Sequence, residues 1–491
     1  MPKFEASTEQ PGDVAVDLLV LPVYEGTKPG PGTADVARGL GADLVGLFKA
    51  HGLKGEAGDA LTVPTLGKLK AKNLLLLGMG PQKDAGADAV RRAAMKAGQS
   101  SFGHTTAAST LPQVGEDAGA SARAFAEGIL LGSYRFDTYK TKPDDKRPPV
   151  TVRALVRGDR KRAEAELARG QIYAEAANWV RDLVNTPAAD ATPAFLAKQA
   201  QQMAKKHGLE CKIWDKAALE KGGFGGILGV GRGGANQPRL IELAYSGDGN
   251  AKPIALTGKG ITFDSGGLDI KPAKYMEWMK ADMAGAAAAI AVMRALTQLE
   301  PKINVVAAIG SAENMPGADA IRPGDVLTHR GGKTSEVTDT DAEGRVLLAD
   351  ALAYLAEKKP KAIIDSATLT GTGVGEDLWA IIGSDQQLVD ELRTAGDEVG
   401  EPGWQLPLWP GYKRHTKSEI ADVKNAAWEG PDTLSAGLFL KEFAGDVPWA
   451  HIDVGDTAYL EWERDGWPKG PTGCPARVVL RYIENRAGSR R

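Results

Sequence analysis

The sequence IALTGKGITFDSGG, residues 254–267, joins a short apolar run to a loop that is rich in glycine. Residues 254–257 are predicted to form a buried strand, because the run is apolar and bounded by turn residues. The glycines that follow let the backbone come close to a ligand. Lys259 and Asp264 are the charged residues of this loop. A carboxylate in such a setting is typical of a metal site.

Similar apolar runs recur towards the C-terminus and alternate with helical patterns. The strand-like runs cover residues 254–257, 303–309 and 362–365, and the helical ones cover 281–299 and 345–357. This alternation predicts a mixed, mainly parallel sheet with helices on both faces. Ligands bind outside the carboxyl ends of the strands of such sheets. We therefore expect the loops that follow these strands to form one functional edge.

The N-terminal third has its own alternation of strands and helices. Strand patterns cover 14–21, 73–78 and 151–157, and helical patterns cover 88–99 and 121–131. A long helix rich in alanine and glutamate is predicted over 159–183, and Pro187 prevents its continuation. At 491 residues the chain exceeds the usual size of a single core. We expect an N-terminal α/β domain (1–158), a connecting helix (159–186) and a larger catalytic α/β domain (187–491).

Charge and cysteine content exclude several classes of protein. The chain has 60 basic and 63 acidic side chains and a net charge of −3, which predicts neither a nucleic-acid nor a membrane partner. Cys211 and Cys474 are far apart and form no CxxC, so a disulfide framework and a thiolate zinc site are not supported. The N-terminus has no apolar signal region, and no run of about 18 apolar residues occurs. A cytoplasmic protein is expected.

Two motifs resemble nucleotide loops by their letters alone. GVGRGG at 229–234 matches GxGxxG, but Pro238 and a strand-like run at 239–245 follow it instead of a helix. GKT at 332–334 resembles the end of a phosphate loop, but Leu327 replaces the required glycine. Phosphate binding is therefore not predicted at either place.

Three acids fall within five residues in TDTDAEGR, residues 338–345. Thr340 and Glu343 fit a capping box ahead of the next predicted helix, which is one explanation for Glu343. Asp339 and Asp341 add like charges, which repel unless a cation or a buried network compensates them. A metal site is the other explanation for this group.

Asp282 lies in KADMAGAA, residues 280–287, at the start of a predicted helix. On their own, Asp282 would be explained as a surface acid of a helix and Asp264 as a turn residue. The alanine-rich surroundings favour a half-buried Asp282, and a buried carboxylate needs a partner. Two divalent ions that share a bridging carboxylate would provide partners for these acids, and they would suit hydrolysis by a metal-bridged hydroxide.

Histidine is scarce, which narrows the choice of metal. The chain has six histidines and no HExxH motif. His451, in WAHID at 449–453, is predicted to have a structural role in hydrogen bonding. A site made mainly of carboxylates would accept Zn²⁺, Mn²⁺ or Mg²⁺.

These motifs resemble those of the cytosolic, two-metal leucyl aminopeptidases over the whole second domain and more weakly over the first. The family octapeptide NTDAEGRL is matched by DTDAEGRV at 339–346. Supporting runs are GKGITFDSGG (258–267), IKP (270–272), SAENMP (311–316), RPGD (322–325) and ATLTG (367–371). The resemblance implies a macro-like N-terminal domain and the release of N-terminal amino acids from peptides.

The resemblance further implies two divalent ions per subunit, Zn²⁺ or Mn²⁺, held by Lys259, Asp264, Asp282, Asp341 and Glu343. Asp264 and Glu343 would bridge both ions. Lys259 would have to bind as a neutral amine, and two nearby dications would lower its pKa by their charge. The amine of the substrate would bind one ion and its carbonyl oxygen the other.

Further residues are implied to act on the substrate. Lys271 would stabilise the tetrahedral oxyanion, and Arg345 would hold a bicarbonate ion that serves as general base. Met279, Thr368 and Gly371 match positions that line the family pocket for the first side chain. Such an apolar pocket predicts a broad preference for leucine-like residues. The resemblance also implies a homohexamer, built as a dimer of trimers.

Several positions depart from the family pattern. Asp339 replaces asparagine beside the predicted ligands, and Val346 replaces leucine. Thr372 stands where alanine is usual, and Val-Gly-Asp at 454–456 replaces Ile-Ala-Gly. Asp339 predicts an altered metal preference, and the other changes bear on the preference for the first side chain.

Three other functions were weighed against a peptidase. A two-metal phosphoesterase is disfavoured by Lys259 and Lys271, which take the place of histidine or asparagine ligands, and by the lack of a phosphate loop. Some bacterial members of the family also regulate genes by binding DNA, but the near-neutral charge disfavours this as the main function. A ligand-binding N-terminal module has no specific nucleotide motif to support it.

Overall fold

The computed structural model describes residues 2–427, 429–464 and 466–488. Contacts between Cα atoms divide the chain into two compact units. The first contains Met1–Asn178 and Glu461–Lys469, and the second contains Trp179–Leu460 and Gly470–Arg491. In the described part of the chain, no helix combines the length and the apolarity that crossing a membrane requires.

The first unit is an α/β layer structure around one sheet. Its strands are β1 (Lys3–Ser7), β2 (Leu18–Tyr24), β3 (Lys28–Pro29), β4 (Ala60–Pro64), β5 (Asn73–Gly78), β6 (Thr106–Ser109) and β7 (Thr151–Leu155). Its shorter helices are α1 (Thr33–Leu40), α2 (Leu44–Ala50), α3 (Ala87–Ser100) and α4 (Ala118–Gly132). The strand order is β1-β7-β6-β2-β5-β4, and β3 pairs with β2. The pairs are parallel except for β4 with β5 and β3 with β2.

Strand β2 shows why this sheet is covered on both faces. All seven of its residues are buried. Leu18 and Val20 join a core cluster with residues of α3 and α4, whereas Leu19 and Leu21 join another cluster with residues of α1 and α2. Because side chains alternate between the faces of a strand, an uninterrupted apolar run requires helices on both sides.

The long helix predicted over residues 159–183 is present as α5 (Arg160–Asn185). Asn178 belongs to the first unit and Trp179 to the second, so each unit contains part of this helix. It ends just before Thr186 and Pro187, where the proline ring is incompatible with a helix interior.

The second unit contains a larger mixed sheet and, among the described residues, two smaller sheets. Its strands are β8 (Glu210–Trp214), β9 (Arg239–Ser246), β10 (Ile254–Gly258), β11 (Gly260–Asp264), β12 (Asn304–Asn314), β13 (Val326–Thr328), β14 (Thr334–Glu336), β15 (Ala362–Ala367), β16 (Trp379–Gly383), β17 (Gly403–Gln405), β18 (Val423–Lys424), β19 (Trp449–Asp453), β20 (Tyr459–Leu460) and β21 (Gly470–Pro471). Its helices are α6 (Pro193–His207), α7 (Lys216–Gly222), α8 (Gly225–Gly231), α9 (Ala273–Met276), α10 (Ala284–Leu299), α11 (Glu343–Glu357), α12 (Gln386–Val399), α13 (Asp432–Ala444) and α14 (Ala476–Gly488).

The main sheet of this unit has the order β17-β16-β19-β15-β10-β12-β9-β8, and β11 pairs with β12. Among the described residues, β13, β14 and β18 form one of the smaller sheets, and β20 and β21 form the other. The central strands β19, β15, β10 and β12 are parallel neighbours, and β9 and β8 add antiparallel pairs. Ala255 and Ile363 share a core cluster with residues of α8, α11 and α13. Helix α10 also packs against β10 but contributes nothing to that cluster. The predicted mixed, mainly parallel sheet with helices on both faces is confirmed.

Two local predictions about the acidic segments were wrong. Helix α10 begins at Ala284, after a 3₁₀ turn at Met279–Ala281, so Asp282 lies in the connection and not within the helix. Helix α11 begins at Glu343, and no side chain caps it. The Thr340 hydroxyl instead donates to Gly266 O at 2.7 Å, so the capping box does not form. In both places contacts with distant residues replace the local arrangement.

The two nucleotide-like motifs lie in settings that do not form nucleotide loops, as predicted. GVGRGG at 229–234 overlaps the end of helix α8 and leads into β9. GKT at 332–334 lies in the hairpin between β13 and β14, where Lys333 Nζ contacts Glu442 Oε2 at 3.1 Å.

Candidate metal centre

The charged residues of the second unit gather at the carboxyl ends of its parallel strands. Lys259 follows β10, Asp264 ends β11 and Thr368 follows β15. Because these strands run in one direction, their carboxyl ends lie at the same edge of the sheet. The edge predicted from the alternation of strands and helices is therefore where these residues are found.

Two ammonium groups and four carboxylates form one cluster at this edge. Lys259 Nζ lies 2.7 Å from Asp282 Oδ2 and 2.8 Å from Glu343 Oε1. Lys271 Nζ lies 2.9 Å from Asp264 Oδ2 and 2.5 Å from Asp341 Oδ1. Single oxygens of Asp264, Asp341 and Glu343 lie within 4.8 Å of one another. The structure thus brings together the five residues predicted to hold metal, and Lys271 with them.

Several buried oxygens of this cluster have no hydrogen bond. In the described part of the chain these include both oxygens of Glu343, Oδ2 of Asp282 and Oδ1 of Asp341. The Glu343 side chain is fully buried, and the nearby lysine nitrogens attract these oxygens without hydrogen-bond geometry. A buried polar atom without a partner is costly. The arrangement suits a cation with several oxygen ligands.

The pKa values of the cluster show how strongly the acids crowd one another. Burial, with repulsion from Asp264, raises the pKa of Asp341 to about 7. Burial also raises the pKa of Asp282 and of Glu343. Burial alone would lower the pKa of Lys259, but the surrounding carboxylates raise it above that of a free lysine. Divalent cations would favour the ionised carboxylates and oppose the charge on the lysine.

Gly344 leaves room for the Lys259 side chain. A Cβ atom at this position of α11 would lie 2.5 Å from Lys259 Cε and 2.8 Å from its Nζ. No side chain fits there without displacing the lysine, so the glycine of the DAEG segment is explained by a close approach.

Asn314 and Asp269 join the two acidic loops and were not singled out from the sequence. Asn314 Nδ2 donates to Asp264 Oδ1 at 2.8 Å and to Thr340 O at 3.0 Å. Asp269 Oδ2 accepts from Thr340 N at 2.7 Å. Asn314 ends β12 beside the sheet edge that the strand pattern predicts. This position could have identified Asn314 as a site residue from the sequence.

Asn425 organises the segment that leads into α11. Its Oδ1 accepts from Thr338 N at 2.8 Å, and its Nδ2 donates to Asp339 O at 2.6 Å and to Ala342 O at 3.2 Å. Its own carbonyl oxygen accepts from Arg345 Nη1 at 2.9 Å. No local sequence signal links it to residues more than 80 positions earlier.

Arg345 is buried beside the cluster and does not touch the acids predicted to bind metal. Its Nη2 lies 2.9 Å from Asp432 Oδ1, and its Nε has no hydrogen bond among the described residues. Asp339 accepts from Asp341 N at 2.8 Å. Burial raises the pKa of Asp339, and the charges of Asp269, Arg345 and Asp432 also act on it.

The three residues predicted to line the pocket for the first side chain of the substrate differ in their surroundings. The Thr368 hydroxyl donates to Asp282 Oδ1 at 2.7 Å, and Thr368 O accepts from Lys259 Nζ at 3.2 Å. Met279 is half-buried and begins the 3₁₀ turn before Asp282. Gly371 is exposed, and a Cβ atom there would meet nothing within 4 Å.

Two of the departures from the family pattern contact each other. The Thr372 hydroxyl donates to Asp456 Oδ2 at 2.6 Å, and Thr372 N donates to the same oxygen at 3.0 Å. Gly455 lies beside this pair, where a Cβ atom would lie 2.0 Å from Thr370 O. The changes at 372 and at 454–456 therefore act as one unit.

His451 lies in a buried polar network below the 368–371 loop. Its Nδ1 pairs with Asp365 Oδ1, and Asp365 Oδ2 accepts from Trp449 Nε1 at 2.5 Å. Asp453 Oδ2 accepts from the Thr370 hydroxyl at 2.7 Å. The predicted structural role of His451 in hydrogen bonding agrees with these contacts.

Comparison with known proteins identifies the family. Residues 178–480 match the catalytic domain of the cytosol aminopeptidase family, and residues 20–143 match its N-terminal domain. The chain belongs to the cytosol aminopeptidase family. A probable cytosol aminopeptidase of Geobacter sp. (strain M21) is 41% identical over 492 residues, which cover 99% of this chain and 100% of the relative. One from Streptomyces coelicolor is 40% identical and covers 97% of each chain.

Solved structures agree with this assignment. The bottromycin maturation enzyme BotP is 34% identical with a TM-score of 0.86, over 96% of this chain and 100% of that one, and it has also been solved in complex with Mn. A cytosol aminopeptidase from Coxiella burnetii is 30% identical with a TM-score of 0.83 over 99% of each chain. The predicted family and two-domain α/β fold are confirmed. The chain is a metal-dependent aminopeptidase, a hydrolase that acts at the N-termini of peptides.

Proposed function

We propose that this protein is a cytoplasmic two-metal leucyl aminopeptidase, which releases leucine-like and other N-terminal residues from peptides with a free amine. The proposal is carried by one observation. Lys259 Nζ lies 2.7 Å from Asp282 Oδ2 and 2.8 Å from Glu343 Oε1, and one oxygen of Glu343 lies within 4.8 Å of oxygens of Asp264 and Asp341. Five side chains that can donate to metal therefore share one small, buried space.

The donor set fits divalent ions. Carboxylate oxygens suit Mn²⁺ and Mg²⁺, and Zn²⁺ accepts both oxygen and nitrogen donors. Glu343 contacts Lys259 and lies near Asp264 and Asp341, so these residues, with Asp282, would together hold the ions. The oxygens of Glu343, Asp282 and Asp341 that make no hydrogen bond among the described residues could donate to these ions. The complex of BotP with Mn supports Mn²⁺ as one candidate.

The residues around the ions would orient the substrate and stabilise the reaction. When bound, two ions would polarise the peptide carbonyl and make a water molecule acidic. Lys271 carries a raised pKa because its carboxylate neighbours outweigh its burial, so it stays charged and would donate to the oxyanion. The Thr368 hydroxyl holds Asp282 in one orientation. Asn314 holds the Asp264 carboxylate in the same manner.

The remaining parts of the proposal concern the pocket and the assembly. The bicarbonate ion that the resemblance implies on Arg345 stays a prediction outside this proposal, because Asp432 Oδ1 already contacts that guanidinium at 2.9 Å. Met279, Thr368 and Gly371 are proposed to line the pocket for the first side chain. A homohexamer made of two trimers is proposed from the family resemblance, and light scattering would measure it.

Metal reconstitution tests the proposal. We would remove metal with a chelator, restore Zn²⁺, Mn²⁺, Co²⁺ or Mg²⁺ singly, and assay a panel of aminoacyl anilides with N-acetylated controls. Release should return with a divalent ion, should be fastest for leucine-like residues and should fail for blocked amines. Cleavage of acetylated substrates, or full activity without metal, would overturn the proposal.

A further inference from the structure

The guanidinium of Arg345 is already bound by groups of this chain. Its side chain is 2% exposed, with Nη1 on Asn425 O and Nη2 on Asp432 Oδ1, each at 2.9 Å. Arg345 follows the proposed ligand Glu343 by two residues, so this ion pair lies at the border of the acidic cluster. An added anion would have to displace Asp432 from the guanidinium.

Asp432 is the accessible partner of this pair. Its side chain is 59% exposed, and Oδ1 holds the arginine, whereas Oδ2 makes no hydrogen bond within the described residues. It is also the first residue of α13, where the helix dipole favours a negative charge. Asp432 therefore presents one carboxylate oxygen to solvent while its other oxygen contacts Arg345.

Thr433, the residue after Asp432, joins the start of α13 to the 368–371 loop. The Thr433 hydroxyl lies 2.8 Å from the Thr370 hydroxyl and donates to Gly371 O at 3.3 Å. Thr370 is in turn held by Asp453. The start of α13 is thus joined to the loop that carries Thr368, which contacts Asp282. Asp432 thus contacts Arg345, and the next residue contacts the loop that carries Thr368.

Two acids of the chain already act on the Arg345 guanidinium. Asp339 and Asp432 both lie within electrostatic range of Arg345, so two carboxylates face one guanidinium. A bicarbonate ion would lose one of its hydrogen-bond donors to Asp432 and would meet two like charges. The same place offers a carboxylate that needs no binding step.

We propose that Asp432 takes the place of an added anion on Arg345 and accepts the proton of the attacking water, so that the enzyme works without bicarbonate. This rests on the proposed aminopeptidase function. As the water oxygen bonds to the carbonyl carbon, its proton passes to the Asp432 carboxylate. When the C–N bond breaks, that proton passes to the leaving nitrogen, and Asp432 is ionised again. One water molecule is consumed for each peptide bond.

Bicarbonate dependence tests the proposal. The full-length, Mn²⁺-loaded protein and its Asp432→Ala, Asp432→Asn and Asp385→Asn variants are assayed in CO₂-free buffer, with and without bicarbonate at constant ionic strength. Asp385 is the N-cap residue of α12, where its side chain accepts from Leu388 N, and it lies outside the site, so it controls for loss of an acid at a helix start. The unchanged protein should not respond to bicarbonate. Asp432→Ala should lose about 10²-fold in kcat and regain much of it with bicarbonate.

A second measurement does not depend on activity. Calorimetric titration of bicarbonate into the full-length protein without added metal should show binding to Asp432→Ala and none to the unchanged chain. Asp432→Asn, which keeps the shape of the side chain, should fold normally and lose activity. A bicarbonate requirement of the unchanged protein, or full activity of Asp432→Asn, would overturn the proposal. If no metal-loaded form released amino acids, the aminopeptidase function would fail, and the titration would still decide whether Asp432 excludes the anion.

Discussion

Two groups of buried acids lie along the same sheet, and they differ in where their hydrogen bonds go. In the network below the 368–371 loop, the oxygens of Asp365 and Asp453 accept from side chains and backbone groups of the chain. In the cluster beside β10 and β11, both oxygens of Glu343 have no hydrogen bond among the described residues. Satisfied acids form a scaffold, whereas unsatisfied ones indicate a place for a cation.

The largest effect should come from Glu343→Gln, which removes a charge from the unsatisfied group and nearly keeps its shape. We expect kcat/KM to fall by about 10³-fold or more, since a proposed metal ligand is lost. Unfolding of the metal-free protein in urea should show no loss of stability, because the variant removes repulsion between carboxylates. Glu357→Gln at the other end of α11 is the matched control. If metal-free Glu343→Gln were strongly destabilised, Glu343 would have a structural role like that of Asp365 and Asp453.

Substitutions in the network of Asp365, His451 and Asp453 should reduce stability more than activity. Removing one partner of a buried ion pair leaves an uncompensated charge, so His451→Gln should lower the free energy of unfolding by about 3 kcal/mol. Activity of the fraction that stays folded should change much less. His51→Gln, at an exposed position, is the control. Unchanged stability together with lost metal binding would reverse the two assignments.

This pair also predicts a pH dependence of stability. Burial opposes charging, but Asp365 raises the pKa of His451 to about 10 in the folded protein. An unfolded histidine has a pKa of about 6.5. The stabilisation is thus complete below that value and is lost as the pH rises towards 10. Urea unfolding of the unchanged protein should weaken over this range, relative to His451→Gln, and parallel curves would contradict the charged pair.

Lys271→Met tests whether Lys271 acts on the oxyanion or only binds the substrate. If Lys271 donates to the oxyanion, kcat should fall by about 10²-fold, with a smaller change in KM. Lys274→Met, three residues later and exposed, should leave both constants unchanged. A change confined to KM would assign Lys271 to substrate binding.

The smallest effect should come from the Thr372–Asp456 pair. A double-mutant cycle with Thr372→Ala and Asp456→Ala should give a coupling of about 1 kcal/mol in stability. The ratio of kcat/KM values for leucyl and alanyl anilides should change by only about threefold if this pair shapes the pocket wall. An unchanged ratio would separate these residues from side-chain preference.

The arrangement of strands was predictable because it follows from local periodicity and from a general rule for parallel sheets. Lys259, Asp264 and Thr368 each follow or end a strand, so their gathering could be expected. The position of Asp282 could not, because a 3₁₀ turn delays the start of α10 until Ala284. Sequence patterns place helix ends less reliably than helices themselves.

The supporting contacts were not predictable for a different reason. Asn425 contacts residues 80 to 87 positions earlier, and Thr340 bonds to Gly266, 74 positions earlier. Thr340 and Glu343 had the local pattern of a capping box, but the Gly266 and Asp269 partners of Thr340 replaced it. A single sequence carries no direct signal for such pairs.

Gly344 has a consequence for engineering this enzyme. A glycine inside a helix costs about 1 kcal/mol relative to alanine, so a routine stabilising design would replace it. The methyl group of that alanine would occupy the space of the Lys259 stem. A more heat-resistant protein would then emerge from the design with the proposed ligand Lys259 displaced, and a screen that scores melting temperature alone would select an inactive product.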